Sequence, residues 1–335
     1  MMIKKRGAVE MQFNWIFILI AGSVILLLFT MIAIRQKDAA QNSYGISAAN
    51  GLEAVLFGKE NAAGTMGQVE IPEAKIEFNC NSYSIMGASK SIGNMNLFMP
   101  SKFEGNKLFI MSREWNAPYA VSNFLYLTSP KVQYIFIGNS LFARMIFENI
   151  PDAISKEGYT TAGAIQNENY GNVRIIFFDQ LPIVPETLKG MKNRHLTALS
   201  VQGNNNYGTV EFFDFVNGKF ESKGTSFYLG EPSLLGAIFS DSLRNYNCSM
   251  GNAFVKLNIL SRVYVEKIEK TLESYSNQDN KMCWQLYNEI APESSKLLLR
   301  FSTAGFGSGD GTANAMQDLG KYNAMAKSLS CVSIY

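Results

Sequence analysis

The sequence predicts an α/β protein: an N-terminal transmembrane helix, a mixed α/β domain with a β-α-β unit and an antiparallel edge, and a helical C-terminal subdomain. Three observations predict it. Met11 to Ile34 (MQFNWIFILIAGSVILLLFTMIAI) contains no charged residue. Between Val132 and Phe178, two apolar runs flank a stretch of helical spacing, the pattern of parallel strands joined by a crossover helix. From Pro232 onward, apolar residues recur every three or four positions. The expected organisation is a cytoplasmic basic segment (1–10), the membrane helix (11–34), a helical stalk (35–64), an extracytoplasmic α/β domain (65–240) and the helical subdomain (241–335).

At 1.5 Å per residue the apolar stretch makes about 36 Å of helix, enough to cross a hydrocarbon core of about 30 Å with some tilt. Lys4, Lys5 and Arg6 precede it, and Arg35 and Lys37 follow. The positive-inside rule therefore favours a cytoplasmic N-terminus with the bulk of the chain outside. A secretory signal has a shorter apolar core followed by an Ala-x-Ala-like cleavage site. Arg35-Gln36-Lys37-Asp38-Ala39-Ala40-Gln41 is a poor match to such a site, so the anchor is expected to stay in the lipid bilayer.

Lys5-Arg6-Gly7-Ala8-Val9-Glu10, set directly before the apolar run, resembles the processing site of archaeal type IV pilin-like proteins. In that family a prepilin-type peptidase cuts after a Gly that follows basic residues, and a Glu near the new N-terminus enters the helix. The resemblance implies cleavage between Gly7 and Ala8, and like subunits as partners. Glu10 would stand third in the mature chain, where the family has its Glu fifth. A Glu at the top of an apolar helix is costly unless paired, and a neighbour's free α-amino group is one partner for it. The other reading of the same residues is a plain anchor. Glu10 then sits in water at headgroup level, and Lys4, Lys5 and Arg6 act as an orientation signal.

The chain of 335 residues has room for one large or two small domains beyond the anchor. With 30 Lys and Arg against 28 Asp and Glu, no strong field draws it to nucleic acid, and no RNA-binding signature is present. Charged residues at 17% and aromatics at 12% suit a packed domain rather than disorder. Cys80, Cys248, Cys283 and Cys331 are widely spaced, which fits two disulfides in an oxidising exterior. None has the Cys-x-x-Cys spacing of a zinc or redox site. Four buried free thiols is the alternative, to be expected if the bulk were cytoplasmic. Asn247-Cys248-Ser249 matches the glycosylation triplet, with a Cys at its centre.

After the anchor, Ala39 to Phe57 reads as a small-residue helix that continues the span, with a break expected near Gly45 or Gly51. Gln68 to Ile85 is strand-like, with Pro72 marking an edge or a bend. Lys107 to Ser112 is a further short strand, and residues 115–119 turn the chain into Val121 to Thr128. Val132 to Ile137 (VQYIFI) is a buried strand followed by Gly138-Asn139-Ser140. The helical pattern after it places Leu141, Met145, Ile146, Ile150 and Ile154 on one face. Val173 to Phe178 (VRIIFF) completes a right-handed β-α-β unit, and Leu196 to Val201 adds a third strand. Thr209 to Val216, Asn217-Gly218 and Lys219 to Ser222 form a hairpin, an antiparallel edge on the parallel core.

A long amphipathic helix is expected from about Cys248 to Tyr275, a second over Cys283 to Phe301 interrupted by Pro292, and a third over Thr312 to Leu329. The Gly-rich loop Gly305 to Gly311 connects the last two. The first helix carries Cys248 roughly 40 Å from the turn near Asn277. Cys283 follows that turn, and Cys331 closes a third helix that should run parallel to the first. Because a disulfide needs Cα atoms within about 7 Å, the expected pairs are Cys283–Cys331 and Cys80–Cys248.

Chemistry is sparse. The only histidine, His195, lies in a polar turn and cannot build a two-His metal centre. The Gly305 to Gly311 loop has one carboxylate, Asp310, too few for calcium. No metal or cofactor site is expected. Phe136-Ile137-Gly138-Asn139-Ser140-Leu141 resembles the first block of the Gly-Asp-Ser-Leu hydrolases, with Asn139 where that family has Asp. Gly203-Asn204-Asn205-Asn206 is loosely similar to a later block. The resemblance implies Ser140 as nucleophile, but no His follows His195 to serve as its base. The physical alternative is that Asn139 or Ser140 caps the helix starting at Leu141. By default, a ligand cleft would lie at the carboxyl ends of the strands, near Gly138 and Phe178.

The resulting expectation is a non-enzymatic, single-pass, extracytoplasmic surface protein, handled as a pilin-like subunit or assembly component. The alternative is a membrane-tethered receptor that takes a small solute in the strand-end cleft.

Overall fold

The structure, a computed structural model, describes residues 7–79, 81–166, 171–192, 195–275, 281–305 and 309–335. It opens on one helix, α1 (Gly7–Glu60), of 54 residues, about 81 Å long at the standard rise. The break expected near Gly45 or Gly51 is absent. Gly45 serves close packing instead: a Cβ there would stand 2.7 Å from the Ile85 carbonyl oxygen and 3.3 Å from the Ala88 and Met86 Cβ atoms. The helix continues unbroken through this glycine, which is pressed against the turn at Met86.

Ala49, Leu52 and Leu56 continue the Gly45 face and are fully buried against Ile76, Tyr83, Ile85, Ile110 and Leu125 of the first sheet. Polar contacts fix the seating. The Tyr83 hydroxyl donates to the Ala49 carbonyl at 2.8 Å, and Lys90 pairs with Glu53 at 2.6 Å. At the far end, Asn123 Nδ2 donates to the Glu60 carbonyl at 2.6 Å.

Among the described residues the strands form two six-stranded sheets. The first holds β1 (Met66–Asn79), β2 (Ser82–Ile85), β3 (Ala88–Ser91), β4 (Asn96–Phe98), β5 (Lys102–Asn116) and β6 (Ala120–Thr128), in the order β3-β2-β1-β5-β6-β4. It is antiparallel except for the β4–β6 pair. The sequence pattern predicts only part of it. The β1–β5 ladder shifts register between Glu70 and Ala74, around Pro72, so one long strand reads as fragments. The outer half of β5 alternates exposed and buried positions with no long apolar run.

The second sheet holds β7 (Val132–Ile137), β8 (Lys156–Tyr159), β9 (Asn172–Phe178), β10 (Leu196–Gly203), β11 (Tyr207–Val216) and β12 (Lys219–Leu229), in the order β12-β11-β10-β9-β7-β8. Strands β8, β7, β9 and β10 are parallel, and β11 and β12 add the antiparallel edge. Helix α2 (Leu141–Asn149) lies between β7 and β8 in the chain. It stops before Ile150, because a residue preceding Pro151 disfavours helical backbone. Ile154 therefore lies beyond the helix, and Leu141, expected on the buried face, is 83% exposed. The edge strand β8, sequence KEGY, carries no apolar pattern that could announce it.

Helix α3 (Gly230–Phe239) is buried from Ser233 to Phe239, between the two sheets. Trp115 Nε1 donates to the Leu229 carbonyl at 2.9 Å, and the Tyr126 hydroxyl to that of Pro232 at 2.7 Å. Gly236 admits the Phe98 ring, which a Cβ would approach to 2.7 Å.

The C-terminal helices are α4 (Leu243–Tyr275), α5 (Lys281–Gln285), α6 (Ala291–Ala304) and α7 (Gly309–Ser328). Between α5 and α6 the backbone forms a π turn, Leu286–Ile290. It directly precedes Pro292, which has no N–H for a regular helical bond. Helices α4 and α6 pack antiparallel, with Asn258 donating to Thr303 Oγ1 at 2.8 Å and Lys296 pairing with Glu269 at 3.2 Å.

Two alanine substitutions on α1 should act in opposite directions. Gly45→Ala forces a carbonyl to shift and should destabilise the chain by about 1–3 kcal/mol. Gly51, with nothing within 4 Å of a built Cβ, should gain up to about 1 kcal/mol on replacement by alanine. Thermal unfolding of the full chain in detergent compares the two.

Candidate functional site

Gly7, Ala8 and Glu10 lie in the first turns of α1; Lys4, Lys5 and Arg6 lie outside the described residues. From Trp15 to Ile34 the large apolar side chains of α1 are exposed, and this helix is long and apolar enough to cross a membrane. A shallow groove on it is lined by Gly22, Ile25, Leu26, Phe29, Thr30 and Ala33. Above it, Ser43, Ser47, Gly51, Ala54 and Gly58 are exposed, on the opposite face of α1 from Gly45, Ala49, Leu52 and Leu56. That face carries small side chains, flanked by exposed Tyr44, Ile46 and Phe57.

Cys283 and Cys331 form a disulfide, with Cα atoms 5.7 Å apart. It ties α5 to the segment that follows α7. Cys80, of the expected Cys80–Cys248 pair, lies outside the described residues. Cys248 is disulfide-bonded, and Asn81 Oδ1 lies 3.6 Å from its sulfur. The glycosylation triplet is locked inside α4: Asn247 Oδ1 accepts from Ser226 at 2.5 Å, and the Ser249 hydroxyl is buried on the Leu97 carbonyl at 2.6 Å.

Ser140 has extended backbone, and its Oγ accepts from the Ala143 N–H at 3.1 Å, the geometry of a helix N-cap. It follows β7, whereas His195 precedes β10. Both strands run parallel to β9, so Ser140 and His195 sit at opposite ends of the strands and form no nucleophile–base pair. Asn204 stands at the Ser140 end, but its Oδ1 accepts from the Asn206 N–H at 2.9 Å and the Tyr207 N–H at 3.3 Å. It shapes a turn.

Gly138 and Phe178, where a crevice is expected, are closely packed. A Cβ on Gly138 would stand 2.9 Å from the Phe178 Cβ and 3.2 Å from that of Ala143. The Phe178 ring is buried and meets Phe142 edge-on at 5.5 Å between centroids. Helix and strand are closely packed at these two residues. A groove of about 400 Å³ opens instead at the amino ends of the same strands, lined in part by Gln133 and His195. A signal for it exists in the sequence: Gln133 is an amide set in an otherwise apolar strand. Among the described residues, no group of three or more His, Cys, Asp or Glu side chains could hold a metal ion.

Comparison with protein-family models, with curated proteins and with solved structures gives no match.

Replacing the capping hydroxyl separates the two roles considered for it. Ser140→Ala should cost about 1 kcal/mol of stability, measured by chemical unfolding. It should leave the full chain as inactive on a generic acyl ester as it was before.

Proposed function

We propose that the chain is a single-pass, membrane-anchored, extracytoplasmic surface protein of pilin-like type, a subunit or assembly component with no catalytic role. One observation carries this reading. α1 is a single unbroken helix whose first half is bare and apolar and whose upper half is seated on a sheet. That is the layout the resemblance at Lys5 to Glu10 implies. A prepilin-type peptidase would cut between Gly7 and Ala8 and leave Glu10 near the new terminus.

The exposed faces of α1 support like subunits as partners. The groove beside Gly22 offers a close approach for another apolar helix, since small residues let backbones pack tightly in lipid. Exposed Ser43, Ser47, Gly51, Ala54 and Gly58, flanked by Tyr44 and Phe57, extend the same opportunity above the membrane.

The N-terminal residue of the protein extracted from its native membrane tests the proposal. A chain beginning at Ala8 is expected. One that keeps Met1 or Met2 would overturn processing and leave α1 as a plain anchor.

A further inference from the structure

Residues 331–335 follow α7 and cross the helical subdomain without forming helix or strand. Ser330 turns the chain into them. Its φ is 57°, the left-handed conformation that helix ends usually give to glycine, and the next N–H, of Cys331, donates to the Ala326 carbonyl at 2.9 Å. A side chain is strained in that conformation, so the turn by itself holds the segment weakly. Cys331 is the first residue beyond the turn, and it is joined to Cys283.

Past that bond the segment is gripped by its backbone. The Tyr287 hydroxyl donates to the Val332 carbonyl, and the Val332 N–H donates to the Tyr275 hydroxyl at 2.9 Å. The Val332 side chain itself stays half exposed. Asn323 Oδ1 accepts from the N–H groups of Ile334 and Tyr335, at 2.8 and 3.1 Å, and both Asn323 and Ile334 are buried. The Tyr335 ring meets Tyr119 and Tyr264 edge-on, with centroids 5.8 and 6.2 Å away. Tyr264 belongs to α4 and Tyr119 to the turn between β5 and β6. The segment therefore joins the helical subdomain to the first sheet.

Ordering a short extended segment costs backbone entropy of the same order as its few hydrogen bonds and buried contacts return. The balance between docked and undocked is therefore close. A covalent link at the hinge end removes much of the freedom of the undocked chain and tips that balance.

We propose that residues 331–335 are a redox-gated clasp. With Cys283 and Cys331 joined, the segment is docked. With the bond reduced, it lifts away from Tyr275, Tyr287 and Asn323 while both sheets stay folded. Opening takes a dithiol reductant: the Sγ–Sγ bond accepts two electrons and two protons to give two thiols, and the dithiol becomes a disulfide. Closure is the same exchange run backwards, with a disulfide as oxidant. An oxidising exterior keeps the clasp shut. The clasp uses no residue of α1, so it is independent of processing at Gly7.

Amide hydrogen exchange on the full-length protein in neutral detergent tests this. The wild type is compared with Cys283→Ser/Cys331→Ser, which leaves Cys248 in its own disulfide. In the double variant the Val332, Ile334 and Tyr335 amides should exchange faster by about tenfold or more. Val132–Ile137 and Val173–Phe178 should stay as protected as before. Asn323→Ala, with the disulfide intact, should leave Val332 protected.

A dithiol added to the folded wild type keeps the test valid where the double variant fails to fold. The three amides should then open before those of the sheets. Unchanged protection of the three amides, or loss of clasp and sheets together, would overturn the proposal. So would Asn323→Ala releasing Val332 as far as the double serine replacement does, because the hydrogen bonds and not the disulfide would then hold the segment.

Discussion

Helix α3 joins the two sheets, and one cation makes its position tenable. The carbonyl groups at a helix C-terminus have no partner within the helix, and those of Ala237 and Ile238 are buried between the sheets. Arg174, on the central strand β9 and only 3% exposed, donates to them at 3.0 and 3.3 Å, and to the Ala198 carbonyl at 3.3 Å. Its guanidinium also lies over the Phe212 ring at 5.3 Å. Burial pushes its pKa down to about 10, with Asp241 acting in the opposite sense, so it stays charged at neutral pH. Each orphaned buried carbonyl would cost about 1–3 kcal/mol, against a total stability of about 5–15 kcal/mol for a typical domain. The aromatic residues of the first sheet and α4 close around the helix that Arg174 anchors.

The second constraint falls on α1, which is bare over one stretch and packed over the next. From Trp15 to Ile34 its large apolar side chains are exposed, a surface fit to cross a membrane. Farther on, Gly45, Ala49, Leu52 and Leu56 turn inward onto the first sheet. The junction with the domain is polar. Lys256 of α4 lies 3.8 Å from Glu60 and donates to Ser122 Oγ at 3.2 Å, and Asn96 Nδ2 donates to the same oxygen at 2.6 Å. Burial holds the Lys256 ammonium below the usual lysine range, opposed by Glu60. This cluster ties the end of α1 to β4, β6 and α4, so the direction of α1 is fixed relative to the body of the protein.

How much of this was legible beforehand depends on periodicity. Val132 to Ile137 and Val173 to Phe178 read as strands because both faces are buried and every residue is constrained. The Asn217-Gly218 turn was legible because both residues have positive φ, which few residue types tolerate. β8 was not legible, since four residues at an edge need no apolar side chains to pair. The first sheet was legible only in pieces, because a bulge around Pro72 and half-exposed strands break the alternation. Gly45 carried the right signal with the wrong meaning: in a sequence a glycine marks a break or a close approach alike, and only the Ile85 carbonyl beside it distinguishes the two.

By itself, the sequence determined that the chain has a span fit for lipid, a parallel strand core with an antiparallel edge and a helical end. Each follows from local spacing of apolar residues, which is written along the chain. Tertiary structure alone decided where space remains. Phe142 and Phe178 meet at the carboxyl ends of the strands, while Ser155 and His195, from separate turns, line with Gln133 a groove at the other end. Open space is set by side chains distant in sequence that do or do not meet, and no local pattern records that.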